Sequence, residues 1–222
     1  MACVCLAAWA AAQSDPPPPP HVIGAREATR LLVNQAKPDY PAVAHDNYIQ
    51  GQVQMELMVG VDGHVRRAHV LHGHPLLAAS ALNCVHKWVY RPFVTSSGPT
   101  AFSTLVKIVF DLSQRERTQF PATPERDLAQ RVKLPEVVER FAPPPGSPSV
   151  QLRVLVGDDG RAIDSSLVSG PAALLARAQN NLSRWKFQPA RWGNMAIPWY
   201  LDVTVPAESG AHSEVSAAPK QH

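Results

Sequence analysis

Residues 53–63 read VQMELMVGVDG, and residues 150–160, 97 positions further on, read VQLRVLVGDDG. In the first stretch the apolar residues of one face alternate with Gln54, Glu56 and Met58, which is the period of a half-buried strand. The Asp-Gly pair that ends each stretch is typical of a tight turn, because glycine tolerates the positive φ that such turns need. The two stretches therefore predict two β-hairpins.

The residues after the first turn predict the rest of a small domain. Val65 to Leu71 continues as the returning strand, and its imperfect alternation indicates a bulge near Arg66-Arg67. Leu76 to Trp88 carries apolar residues at helical spacing, and Phe102 to Phe110 alternates again as a final strand. This order favours an antiparallel sheet with helices on one face, which is an α+β fold.

The same order of elements recurs in the second half of the chain. WVYRP at residues 88–92 matches WKFQP at residues 185–189 with the same offset, and residues 40–44 match residues 134–138 more weakly. Because each copy has its own turns and its own apolar pattern, the repeat predicts two tandem domains. We expect each domain to contain a short helix, a hairpin, a helix and a final edge strand, with the strands forming a three-stranded antiparallel sheet.

These patterns divide the chain into six parts. They are an apolar segment (1–12), a proline-rich linker with a short helix at Ala25 to Asn34 (13–36), the first domain (37–112), a polar connection (113–131), the second domain (132–206) and a disordered tail (207–222). The apolar segment ends in a small-residue run like that of a signal-peptidase site, but it is too short to span a bilayer. It predicts either a truncated signal peptide or the remnant of a membrane segment.

The composition excludes some functions. Hydrophobic residues make up 45% of the chain and charged residues 18%, which is ordinary for a folded protein. The net charge is +3 and the basic residues are scattered, so we expect no nucleic-acid partner, which would need a concentrated basic face. Removal of a leader would leave Cys84 as the only cysteine, and a single cysteine makes no internal disulfide.

The sequence shows no catalytic motif. A nucleophile elbow, a phosphate-binding glycine loop and a His-Glu-x-x-His pair are all absent, and Asp158-Asp159 lies in a predicted turn, where acidic residues are favoured for backbone reasons. Five histidines lie between His64 and His86, and His72-Gly73-His74 is the best metal candidate among them. No Cys, Asp or Glu is placed to complete a shell. We therefore expect solvated histidines, no metal, no cofactor and no enzyme.

The first domain resembles the C-terminal domain of TonB, the periplasmic energy transducer of Gram-negative bacteria. The match covers Lys37 to Leu112, and the second copy resembles the same domain more loosely, because it has Leu134 in place of the tyrosine and lacks the glycine before Val150. The residues of the pattern to which we assign structural roles are Tyr40, Pro41, Gly51, Asp62, Gly63, Trp88 and Pro92 in the first copy, with Trp185 and Pro189 in the second.

The resemblance implies a partner and a way of binding it. The TonB domain adds an extended segment of an outer-membrane receptor as a strand beside its own last strand, here Ala101 to Phe110. An edge strand offers unpaired N–H and C=O groups, so such binding depends little on side chains. The implied partner-binding residues are Lys37, Ala101, Ser103, Leu105, Lys107 and Val109, of which Ser103, Leu105 and Lys107 are expected on the face away from the core. Lys107 is equally explained as a charge that discourages edge-to-edge aggregation. In the second copy the edge would be Trp199 to Val205, with Pro198 removing one donor.

Three functional hypotheses stay open. The first is a periplasmic TonB-like transducer that binds an outer-membrane receptor, and that contacts inner-membrane motor proteins if a membrane anchor precedes Met1. The second is a soluble periplasmic adaptor that binds envelope proteins without energy coupling. The third is a scaffold or homodimer in which the exposed edges pair with each other or across the two repeats.

Overall fold

The computed structural model describes residues 20–112, 131–141, 146–207 and 212–214. These residues form short helices and several small sheets, so the α+β prediction is confirmed. The predicted apolar segment, the first part of the proline-rich linker, nearly all of the polar connection and most of the tail lie outside the described residues.

The first half of the chain is built around one four-stranded sheet. Its elements are β1 (His21–Val22), α1 (Ala25–Leu31), β2 (Leu32–Asn34), α2 (Ala42–Asp46), β3 (Gly51–Val59), β4 (Val65–His72), α3 (Pro75–Val85), β5 (Val89–Tyr90), β6 (Phe93–Thr95), β7 (Gly98–Thr100) and β8 (Phe102–Phe110). The large sheet has the order β1-β8-β3-β4, and β2-β5 and β6-β7 form two small pairs. The core lies between this sheet and α3, where Leu57, Leu77 and Phe102 are at most 1% exposed.

Two features of this half differ from the prediction. The helix expected from Ala25 to Asn34 ends at Leu31, because Leu32–Asn34 pairs with β5 as strand β2. The sheet was predicted to have three antiparallel strands, but β1 adds a fourth strand, parallel to β8. Both differences come from pairing with residues far along the chain, which local periodicity does not reveal.

The predicted bulge in the returning strand is confirmed. Met58 pairs with Arg67 and Val59 pairs with Val65, so Arg66 is the extra residue of β4. The carboxylate of Asp62 accepts a hydrogen bond from the Arg66 guanidinium and another from the backbone N–H of His64. The Asp-Gly turn and the bulge are therefore tied together by one acidic side chain.

The second half contains a three-stranded antiparallel sheet with the order β11-β10-β15. Its elements are β9 (Glu136–Phe141), β10 (Ser149–Val156), β11 (Ala162–Ser169), a 3₁₀ turn (Ala172–Leu174), α4 (Leu175–Leu182), β12 (Lys186–Gln188), β13 (Ala190–Trp192), β14 (Met195–Ile197), β15 (Trp199–Pro206) and β16 (His212–Glu214). The small sheets are β12-β9-β16 and β13-β14. Leu152, Val154 and Val205 face α4 and are fully buried.

Among the described residues from Val132 to Val150, no helix precedes the second hairpin, although the prediction expected a short one there. In the first half Pro41 precedes α2, whereas the corresponding part of the second half is the strand β9. Val137 and Val138 are β-branched and favour an extended backbone, and β9 pairs with β12 on one side and β16 on the other. Pairing with both β12 and β16 favours a strand here, in spite of the weak sequence likeness to residues 40–44.

Some fine features recur at the 97-residue offset. A bulge leaves Ile163 unpaired in β11 as it leaves Arg66 unpaired in β4. Gly63 has φ +81° and Gly160 has φ +77°, and a Cβ at either position would collide with a backbone carbonyl, of Tyr90 or of Phe187. Each turn therefore requires glycine for two reasons: the backbone has a positive φ, and there is no space for a Cβ.

The two halves share part of their core. Leu155 lies on the face of its own sheet that points away from α4, and it is 1% exposed because it joins the hydrophobic cluster of the first half. Tyr200 and Trp199 pack against the same cluster, and the Tyr200 hydroxyl donates to the carbonyl of Gly73 at 3.4 Å. Burial raises the pKa of Tyr200 to about 12. The outer face of the second sheet is thus a contact surface for the first half.

Candidate functional site

The strand β8 presents alternate backbone groups to its two sides. On one side it pairs along its whole length with β3. On the other side, the carbonyls of Ala101 and Ser103 accept hydrogen bonds from His21 and Ile23. Backbone groups alternate along a strand, so every second residue from Ala101 onward points away from β3. The five outward positions are Ala101, directly before β8, and Ser103, Leu105, Lys107 and Val109 within it; these are five of the six residues assigned to partner binding.

The first two outward positions are already occupied. The backbone N–H groups of His21 and Ile23 donate to Ala101 and Ser103, each at 3.0 Å. Ser103 was expected to be exposed but is only 7% exposed, because residues 22–25 lie over it. The expectation that the edge is open from Ala101 onward is therefore wrong for its first part.

The remaining three outward positions are open. Leu105 is 58% exposed, Val109 is 63% exposed, and Lys107 between them is also exposed. Among the described residues, none hydrogen-bonds to the outward backbone groups of these three. Three N–H and three C=O groups in a row can therefore accept one more strand.

Two apolar hollows lie beside this open stretch. One, of about 300 Å³, is lined by Val22, Ala25, Glu56 and Leu105 among others. The other, of about 280 Å³, lies between Ala25, Leu71, Leu105 and Lys107. Each has room for an apolar side chain, and Glu56 and Lys107 place one charge of each sign at their rims. A strand added at the open stretch could therefore make side-chain contacts as well as backbone ones.

Lys37 is the remaining predicted partner-binding residue, and its surroundings differ from those of the open stretch. It is exposed and follows Ala36, whose carbonyl accepts hydrogen bonds from Trp88 Nε1 at 2.9 Å and Cys84 Sγ at 3.0 Å. Among the described residues, no hydrogen bond or ion pair joins Lys37 to the other five predicted residues.

The residues predicted to be structural lie where they can support β8. The Tyr40 hydroxyl donates to the carbonyl of Ile49 at 2.7 Å, and its ring packs edge-on against Phe110, the last residue of β8. Pro41 caps α2, and Gly51 begins β3. Trp88, three residues after the end of α3, is 4% exposed. In the second half, Trp185 is 5% exposed and Pro189 lies against the Gly160 turn.

The corresponding edge of the second half has fewer backbone groups that could pair with a guest strand. At the same offset its outward positions are Pro198, Tyr200, Asp202, Thr204 and Pro206. Both end positions are prolines and carry no N–H donor, and the Pro206 carbonyl already accepts a hydrogen bond from Asn181 Nδ2 at 3.1 Å. Pro198 was recognised from the sequence, whereas the role of Pro206 became visible only with the register of β15.

His69 and His74, two of the five clustered histidines, are not solvated as expected: the His74 ring accepts a hydrogen bond from the Leu76 N–H and packs against Trp199, whereas His69 contacts the second half. His69 Nδ1 lies 2.9 Å from a carboxylate oxygen of Asp164, and the other oxygen accepts the backbone N–H of Val70 at 2.8 Å. The hydrogen bond to Asp164 raises the pKa of His69, burial opposes this, and the charges of Asp164 and Glu56 add to the rise. The Asp164 carboxylate thus joins β11 to β4 and occupies the backbone N–H of Val70 at the β4 edge.

Two further findings concern membranes and metals. None of the helices within the described residues combines the length and the apolar composition needed to cross a membrane. In the same part of the chain, no three His, Cys, Asp or Glu side chains are grouped so that they could hold a metal ion.

Comparison with known proteins places part of the chain in a known family. Residues 36–112 match the family model described as Gram-negative bacterial TonB protein C-terminal, and no curated protein matches the chain. The matched segment contains β3, β4, α3 and β8, so it includes the whole open stretch. It supports the TonB C-terminal family for this segment, which indicates a protein-interaction module of the Gram-negative envelope and not an enzyme.

Proposed function

We propose that residues 36–112 capture an extended segment of an outer-membrane receptor, or of another envelope protein, as an added strand beside β8. One observation carries this proposal: Leu105, Lys107 and Val109 present a continuous row of backbone groups that no described residue occupies. The row lies in the segment that matches the TonB family. The side chains of Phe102, Ile108 and Phe110 are buried in the core, and β8 pairs along its whole length with β3, so the receiving strand is held in place.

The energetics fit reversible capture. Each backbone hydrogen bond contributes about 0.5–1.5 kcal/mol net, and ordering the guest segment opposes part of the sum. Up to six such bonds at the open stretch give a weak complex at rest. A pull along the strand direction loads the bonds together in shear, so a weak complex can carry force for a short time. Energy coupling would need an anchor and inner-membrane motor proteins, and we propose the periplasm as the place of binding.

For residues 132–206 we propose a divergent second TonB-like domain that supports the first rather than binding a guest. The recurring bulges and the matched contacts of Gly63 and Gly160 support a common design. Pro198 and Pro206 limit the strand that could add to β15. Its outer sheet face, at Leu155 and Tyr200, is occupied by the first half.

A proline substitution tests the proposal. The N–H of Leu105 points away from β3, so Leu105→Pro removes one outward donor while the ladder with β3 remains. Thr204→Pro removes an outward donor on β15, at the position that corresponds to Lys107. We expect Leu105→Pro to abolish binding of a fluorescent peptide that copies the receptor segment recognised by TonB, and Thr204→Pro to leave binding unchanged.

Circular dichroism and sedimentation complete the test. Both variants should keep the spectrum of the parent chain. Binding of the peptide that Leu105→Pro leaves intact would refute the role of β8. A concentration-dependent dimer that Leu105→Pro dissociates would show that a second copy, and not a receptor segment, is the natural guest of this edge.

A further inference from the structure

The strand β1 occupies the start of the edge that the proposed function assigns to a guest. It lies parallel to β8, with His21 beside Phe102 and Val22 beside Ser103. A guest confined to Leu105, Lys107 and Val109 spans about five residues, because only every second residue points outward. A guest that used all five outward positions would span about nine and would need the place that β1 fills.

The contacts of β1 are few. It has two residues, and Val22 between its two donors is 84% exposed. The His21 ring makes one tilted contact with Phe93 at 6.0 Å. The main anchor is Ile23, which is 6% exposed and belongs to the core cluster. The attachment to β8 therefore consists of one short ladder and one apolar side chain.

The segment after β1 holds it close. Gly24 is the N-cap of α1, and its carbonyl accepts hydrogen bonds from the backbone N–H groups of Glu27 and Ala28, each at 3.0 Å. Beyond it, α1 is fixed by Ala28, which is 2% exposed, and by the hydrogen bond from Arg91 N–H to the Leu31 carbonyl at 2.7 Å. If residues 21–23 left the edge, α1 would keep them tethered close to it. They could therefore return to the edge at a high effective concentration.

We infer that residues 21–23 are a built-in competitor: they cover Ala101 and Ser103 in the empty protein, and a long guest strand must displace them. The inference rests on the proposed function. It predicts a dependence on guest length, because a short guest fits beside β1 and a long guest competes with it. The association constant observed for the long guest is the intrinsic constant multiplied by the fraction of molecules in which β1 has left the edge.

The chain offers a matched pair of variants for the test. Ile23→Pro removes the N–H that donates to the Ser103 carbonyl. Val22→Pro makes the same substitution one residue earlier, where the N–H points away from β8, so both donors of β1 remain. Because Ile23 is buried, His21→Pro serves as a second variant that removes a donor at an exposed position and extends the preceding proline run.

The probes are two synthetic peptides that copy the TonB-recognised segment of an outer-membrane receptor, one of five residues and one of nine, followed by fluorescence anisotropy. We expect Ile23→Pro and His21→Pro to bind the nine-residue peptide about three to ten times more tightly than the parent chain, which corresponds to the loss of one backbone hydrogen bond that holds β1. Val22→Pro should bind like the parent chain, and the five-residue peptide should bind all four proteins alike.

The outcomes separate this inference from the function on which it rests. Equal affinity of all four proteins for the nine-residue peptide would overturn the competition and leave strand capture intact. An equal gain for both peptides would also overturn it, because β1 would then act on the fold and not on the occupied positions. Absence of binding to every protein would overturn the proposed function and the inference together.

Discussion

The strands β8 and β15 hold the same place in the two halves, yet their outward edges differ. On β8 the outward positions carry no proline, and three of them are open. On β15 prolines stand at both ends of the corresponding set, and Asn181 occupies the carbonyl of Pro206. Strand pairing needs a continuous row of backbone donors and acceptors. The comparison therefore shows that the edge of β8 can pair with a guest strand, whereas prolines restrict pairing at the edge of β15.

The outer sheet faces differ in a related way. In the first half, α1 and the residues around Gly24 lie over the outer face near Leu105. In the second half, the outer face at Leu155 and Tyr200 is covered by the first half itself. The second half therefore contributes its outer face to stability, whereas the first half keeps an edge with adjoining hollows for binding.

The largest expected effect tests whether the two halves share one design. Gly63→Ala and Gly160→Ala each place a methyl group against a backbone carbonyl at a positive φ, so each should cost at least about 3 kcal/mol in the free energy of unfolding. Similar losses in urea titrations would support equivalent turns. A tolerated Gly160→Ala would break the comparison.

Gly98→Ala is the matched control for this pair. Gly98 also has a positive φ, of +109°, but a Cβ there would meet no atom within 4 Å. We expect a loss of about 1–2 kcal/mol from backbone strain alone. The difference between the two classes of variant then measures the collision in the turns.

Much of the first half could be predicted from the sequence because its signals are local. The alternation from Val53 to Val59 and the Asp62-Gly63 pair gave the hairpin, and the break in alternation gave the bulge at Arg66. Alternation also identified the outward positions of β8, because their spacing of two residues follows from strand geometry. These features depend on neighbours a few residues apart.

The features that were missed depend on contacts between distant parts of the chain. Residues 21–23 are too few to show a period, so their pairing with β8 carried no sequence signal. His69 and Asp164 are 95 residues apart, and neither lies in a motif. The strand β9 was not predicted, because its partners β12 and β16 lie far along the chain.

A smaller effect on stability is expected from replacing the two tryptophans that lie at equivalent positions in the two halves. Trp88 Nε1 donates to the Ala36 carbonyl, whereas the buried Nε1 of Trp185 has no hydrogen-bond partner among the described residues. Replacement by Phe removes the N–H from both. We expect Trp88→Phe to lower the free energy of unfolding by about 1–2 kcal/mol more than Trp185→Phe does, as measured by urea titration. Equal losses would mean that the two indoles have equivalent surroundings.

The smallest effect concerns the contact that joins the halves. The hydrogen bond to Asp164 raises the pKa of His69 above its ordinary value near 6.5. The protonated imidazole is therefore favoured in the folded chain, and its stabilisation is fully present below the unfolded pKa and is lost as the pH rises through the raised one. Because the His69 side chain is 31% exposed, solvent screening limits the effect to about 1 kcal/mol or less.

Unfolding by urea at pH 5.5 and at pH 8.5 measures this contribution. Asp164→Asn should reduce the loss of stability between the two pH values, since the uncharged amide no longer favours the imidazolium. His72→Ala, at an exposed histidine on the same strand, should retain the pH dependence of the parent chain. An unchanged pH dependence in Asp164→Asn would show that the charge of Asp164 does not favour the protonated His69 in the folded chain. The join between the halves would then not respond to pH through His69.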